Sequence, residues 1–134
     1  MPDQQDFEAW VDAALMQNFD NLEQTIRVVG RAESRALNLQ YRAKDTPTNV
    51  LSFAAENDYL DYECLGDLVI CAPIVEQEAD QQNKSLQAHW AHMVVHGMLH
   101  LQGYDHQKAN QADEMEALEA KILSTLGYSN PYNS

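Results

Sequence analysis

The sequence predicts an α/β (α+β) fold, a small mixed sheet packed with helices, in one domain spanning residues 1–134. Three observations predict it. Short β-branched or apolar runs stand at 25–29, 50–53 and 65–71. Segments with apolar residues at three-four spacing lie between and after them. The third run ends in the nearly continuous apolar stretch Leu68-Val69-Ile70-Cys71, which suits a central strand covered on both faces. With 134 residues, 45% of them apolar and 22% charged, the chain is long enough to bury a core.

In chain order, Phe7, Trp10, Val11, Ala14 and Leu15 give residues 6–17 the spacing of an amphipathic helix, broken by Asn18 and Asp20-Asn21. Thr25-Ile26-Arg27-Val28-Val29 is a strand ending at Gly30. Residues 32–41 form a second helix whose expected inner face is Ala36, Leu37 and Tyr41. A polar loop fixed at Pro47 leads into the strand 50–53, and 57–63 is an acidic exposed connection. The strand 65–71 stops at Pro73, and a Glu- and Gln-rich helix occupies 74–82, offering Ile74, Val75 and Ala79 for packing. A long helix over 85–101 is expected to bury Leu86, Trp90, Met93, Val94, Leu99 and Leu101. A last helix, 109–126, turns Ala112, Met115, Leu118, Ile122 and Leu126 inward and stops at Gly127.

Charge and composition exclude several classes. No apolar run reaches the roughly 18 residues of a membrane span, and the first residues lack the basic and apolar regions of a signal peptide. Cys64 and Cys71 do not make a disulfide framework and read as reduced thiols of a cytoplasmic protein. The formal charge of −13 opposes indiscriminate binding to nucleic acid. Yet Arg27, Arg31, Arg35, Arg42 and Lys44 fall in one segment with Glu33 as its only acid, a local +4 against −17 elsewhere. A basic face of this kind can hold a phosphate-bearing substrate, although Arg31 and Arg35 fit a solvated helix face equally well.

The chemistry concentrates at His96-Gly97-Met98-Leu99-His100-Leu101-Gln102-Gly103-Tyr104-Asp105-His106. His96 and His100, four apart on a helix, project from one face. Gly103 then permits the left-handed turn that ends a helix and brings His106 back as a third ligand. Three imidazoles with one open position suit a catalytic zinc ion; a structural zinc, normally closed by four ligands including Cys, is the competing reading. The spacing H-x3-H-x2-G-x2-H is that of the metzincin metalloproteases, but the residue where those enzymes carry a general-base Glu is Gly97. The site is zincin-like without being a peptidase's. Asp105 is a candidate to orient an imidazole, Asp67 is either functional or a turn residue, and His92 is a supporting or core residue. His89 is expected at the surface.

Two blocks together resemble the YbeY family of metal-dependent endoribonucleases: the stretch just quoted and Leu37-Asn38-Leu39-Gln40-Tyr41-Arg42-Ala43-Lys44-Asp45-Thr46-Pro47-Thr48-Asn49-Val50-Leu51-Ser52-Phe53. Leu65-Gly66-Asp67 and the Glu-rich last helix also fit, so the resemblance covers roughly residues 25–127. It implies one zinc ion per chain on His96, His100 and His106, other divalent transition metals being compatible with imidazole ligands. It also implies cleavage of single-stranded RNA, maturation of the 16S rRNA 3′ end, ribosome quality control, and ribosomal or small-subunit partners. Arg42 matches the family's arginine and is carried over as catalytic and substrate-binding, with Lys44 as a second substrate-binding residue. Tyr41 and Tyr104 are either base-stacking or buried packing residues.

The chain departs from the family pattern in three places. It starts at the helix where members usually have a strand first, which would leave a sheet edge open. Ala54-Ala55 stands in place of Pro-Phe, and Gly30-Arg31 in place of an acidic pair. Two other functional classes fit the residues: a ribosome- or RNA-binding protein with a structural metal, and another metal-dependent hydrolase. The oligomeric state is left open.

Overall fold

A three-stranded mixed sheet with helices on both faces organises the chain, in a computed structural model that describes residues 1–16, 24–54, 65–104 and 109–132, the side chains of 109 and 110 excepted. The elements run α1 (Gln4–Ala14), β1 (Thr25–Val29), α2 (Arg31–Arg42), β2 (Val50–Ala54), β3 (Gly66–Cys71), α3 (Ala72–Gln81), α4 (Leu86–Leu101) and α5 (Ala109–Thr125). The strand order is β1-β3-β2, with β1 parallel and β2 antiparallel to β3. β3 is the central strand, and Leu68, Val69, Ile70 and Cys71 are all buried. Cys71 is a free thiol, whereas Cys64 lies outside the described residues.

The pleat sends alternate residues to opposite faces. Val50, Leu68 and Ile70 join the main core beneath α4, together with α1 and α5; Leu51, Val69 and Cys71 form a smaller cluster under Leu37 of α2 and Ile74 of α3. The sheet therefore separates α2 from α4. Helix α1 starts at a capping box between Asp3 and Asp6 and packs Phe7 edge-on against Trp90 of α4, ring centroids 5.8 Å apart. Gln102 joins the two helix ends: its side-chain amide donates to Ala14 O at 2.8 Å and accepts from Met16 N at 2.8 Å. These bonds satisfy backbone groups that the end of α1 leaves open.

Four sequence expectations change. Pro73 starts α3 rather than merely stopping β3, because proline fits the first helical turn where no N–H partner is needed. Leu86 is more than a third exposed. The inner face of α2 keeps Leu37 but is otherwise polar: Ser34 and Asn38 are buried, while Ala36 and Tyr41 are exposed. The reason lies in the loop beneath it, whose backbone requires partners. Ser34 Oγ donates to Thr48 O and accepts from Thr48 N, both at 3.0 Å, and Asn38 donates to Thr46 O at 2.8 Å. His89 is the fourth change, being 2% exposed rather than a surface residue. Tyr104 is partly buried against the main core, the packing alternative of the two considered for it.

Candidate metal centre

Helix α4 lies against the sheet at Gly97, and a Cβ there would come within 2.7 Å of Leu68 Cδ2. Glycine is what lets the helix backbone approach so closely. The same contact shows why no general-base glutamate occupies this position: its side chain would run into the sheet. Ser85 caps the helix by accepting from Ala88 N at 3.0 Å. At the other end Gly103 adopts φ +101°, the conformation expected from the motif. His106 and Asp105 lie outside the described residues.

Anchored in this way, α4 carries a strip of histidines. The ring centroids of His96 and His100 are 4.7 Å apart, those of His92 and His96 6.3 Å, and those of His89 and His92 6.0 Å. His96 and His100 are partly exposed, whereas His89 and His92 are buried. Each buried stretch of the strip is met by a carboxylate. Glu78 of α3 accepts from His89 Nε2 at 2.9 Å and from Asn49 Nδ2 at 3.1 Å. Burial pushes the His89 imidazole below its ordinary pKa, against the pull of Glu78, so this contact is a hydrogen bond from a neutral ring.

Glu119 of α5 is fully buried and meets the middle of the strip. Its Oε1 lies 2.5 Å from His96 Nδ1, and its Oε2 lies 3.0 Å from His92 Nε2 and accepts from the Tyr132 hydroxyl. Burial by itself would raise the Glu119 pKa, but hydrogen bonds from His92 and His96 outweigh it and lower the pKa to about 2. The Tyr132 hydroxyl moves the opposite way, pushed up by burial and by the Glu119 carboxylate. The sequence reading missed Glu119. The available signal was an acid on the inward stripe of α5, between Met115 and Ile122.

Among the described residues, His92, His96 and Glu119 form a group whose ligand atoms lie within 4.8 Å of one another and could hold a metal ion. Imidazole nitrogens beside a carboxylate are a donor set that suits a divalent transition metal. The hydrogen-bond donors to Glu119 are His92, His96 and Tyr132, and no lysine or arginine pairs with it among the described residues. A cavity of about 810 Å³ opens beside the first turns of α4, with Lys84, Ser85, His92, Tyr128 and Asn130 in its wall.

Arg42 and Lys44 lie at the end of α2 and in the loop after it. That loop is held rigidly: besides Ser34 and Asn38, Arg35 grips Asp45 through two bonds of 2.6 and 3.0 Å, and Glu78 holds Asn49. Arg27 pairs with Glu33, and Arg31 donates to Gln77 at 2.8 Å. Three of the five basic residues in this segment thus have side-chain partners, whereas Arg42 and Lys44 make no ion pair among the described residues. Tyr41, 58% exposed, sits edge-on to Phe53 at 5.0 Å, so it is not the buried packing residue the sequence favoured.

An α/β sheet crossed by a helix with a histidine strip, backed by a buried carboxylate, defines a protein with a candidate metal centre. The chain belongs to the endoribonuclease YbeY family, whose profile, described as Endoribonuclease YbeY, matches residues 2–127. Its fold is similar to the solution structure of TM1509 from Thermotoga maritima, with a TM-score of 0.54 and 24% identity over 98% of this chain and 85% of that one. Among the described residues no helix is long and apolar enough to cross a membrane.

Proposed function

We propose that this chain is a zinc-dependent, single-strand-specific endoribonuclease acting in 16S rRNA 3′-end maturation and ribosome quality control in the cytoplasm. Membership of an endoribonuclease family supplies the reaction class. The observation that carries the metal is the pairing of His96 and His100, with rings 4.7 Å apart on a helix whose His96 is backed by a buried carboxylate. In this reading His96, His100 and His106 hold one zinc ion. A zinc ion on three imidazoles supplies a Lewis acid for a phosphoryl oxygen and lowers the pKa of water.

The protein's own groups then bind and orient the RNA. Arg42 is the residue assigned to the substrate phosphate, because a planar guanidinium can clamp two phosphate oxygens and stabilise charge that grows in the transition state. Lys44 adds a less directional positive charge. With Arg27 and Arg35 paired to Glu33 and Asp45, the uncompensated positive charge of this segment lies on Arg31, Arg42 and Lys44. The remaining acidic surface repels loosely bound RNA, so selection of the ribosomal site falls to local fit and to ribosomal or small-subunit partners.

Cleavage of a single-stranded and a double-stranded oligoribonucleotide, with and without chelator, tests this reading. Chelator-sensitive cutting of the single strand, abolished in Arg42→Ala and retained in Arg35→Ala, is the expected result. Cutting that survives chelation, or RNA binding without cutting in any form, contradicts it; the second outcome supports an RNA-binding protein with a structural metal.

A further inference from the structure

Glu119 is 0% exposed, yet it reaches His96, one of the histidines that the metal reading requires. A carboxylate oxygen facing an imidazole nitrogen at hydrogen-bond distance is the acceptor, so each nitrogen facing Glu119 carries the proton. On His96 the facing nitrogen is Nδ1, which leaves the lone pair on Nε2. On His92 the facing nitrogen is Nε2, which leaves the lone pair on Nδ1, a buried atom with no hydrogen-bond partner among the described residues. One carboxylate thus imposes opposite tautomers on two histidines a single turn apart. His92 and Tyr132 both donate to the Oε2 side of the carboxylate, which directs Oε1 at His96.

The distances also separate this arrangement from a ligand set. Two ligands of one tetrahedral zinc, each bonded at about 2.0–2.2 Å, lie roughly 3.3 Å apart. His96 Nδ1 and Glu119 Oε1 are 2.5 Å apart, the spacing of a hydrogen bond from Nδ1–H to the carboxylate rather than of two ligands of one ion. We infer that Glu119 is a positioning residue: it holds His96 as the Nδ1–H tautomer, commits Nε2 to the metal and strengthens that nitrogen as a donor, while His92 and Tyr132 steady the carboxylate without ligating. This rests on the metal reading above and assigns a role within it to residues that the histidine motif does not contain. Hydrogen bonds of this kind to metal-bound imidazoles raise ligand basicity and affinity.

The test is zinc binding by competition with a chromogenic chelator, for the full chain and for Glu119→Gln, His92→Gln and His100→Ala, together with imidazole proton–nitrogen NMR of the unsubstituted protein. The inference predicts one zinc per chain, and a Glu119→Gln variant of unchanged stoichiometry with about 10–100-fold weaker affinity. His92→Gln stays near the parent protein and His100→Ala loses the ion. In the NMR spectra His96 keeps its proton on Nδ1 and zinc perturbs Nε2. Parent-like affinity in Glu119→Gln, loss of zinc in His92→Gln, or zinc arriving at His96 Nδ1 would each overturn the inference while leaving a metal site in place. Absence of zinc from the parent protein overturns the metal reading itself and the inference with it. Because the NMR experiment uses the parent protein, poor folding of Glu119→Gln does not remove the test.

Discussion

Gly97 sits against Leu68 so closely that a Cβ would come within 2.7 Å of one methyl and 3.2 Å of the other. The sheet and the histidine-bearing helix share this contact, and it fixes how far α4 stands from β3. Gly97→Ala gains about 1 kcal/mol of helix propensity but must displace Leu68, an overpacking penalty of about 1–3 kcal/mol. Net destabilisation by about 1 kcal/mol is expected from urea unfolding. A more stable variant would show that the helix does not rest on Leu68 as described.

The polar underside of α2 gives a second prediction. Asn38→Ala leaves Thr46 O without its donor, with an expected loss of about 1–2 kcal/mol in unfolding free energy. Because the same bond holds the loop bearing Lys44 and Asp45, weaker binding of single-stranded RNA should accompany it. Ala36→Ser, on the exposed side, should change neither.

His89 makes stability depend on pH near neutrality. Burial lowers its pKa in the fold below the ordinary 6.5, so below that pH the unfolded chain takes up the proton first. Stability is complete above about 6.5 and falls as the solution is acidified. Unfolding free energies at pH 7.5 and 5.5 should differ more for the parent protein than for His89→Gln. Equal differences would place His89 in an ordinary, hydrated setting.

Glu119 acts lower on the pH scale, with the same sign. Its folded pKa of about 2, against an ordinary 4.5, means that the fold favours the ionised form. That contribution is present above about 4.5 and is lost as pH falls towards 2. The metal-free Glu119→Gln variant should lack this part of the acid transition. A transition unchanged by the substitution would mean that Glu119 does not hold its charge in the fold.

The sequence revealed what periodicity controls. The β1 and β2 runs, the buried β3 and the two long carboxy-terminal helices follow from apolar spacing, and the turn after α4 follows from Gly103. Spacing alone did not reveal which polar residues point inward. On α2 Leu37 packs inward as assigned, but Ala36 and Tyr41 do not, and Ser34 and Asn38 face a loop whose backbone groups need partners. Helix α4 is apolar nearly all round, so no pattern distinguished the surface for His89 from its contact with Glu78. Glu119 was hidden for a related reason. Its inward position on α5 was readable, but its partners His92 and His96 lie more than twenty residues away in sequence.

The most direct test of the central claim is zinc content and single-strand cleavage measured on the same samples of the parent protein and His96→Ala. About one zinc per parent chain, with zinc and cleavage lost together in the variant, is the predicted result. Cleavage persisting in zinc-free His96→Ala would contradict a metal-dependent active site on α4.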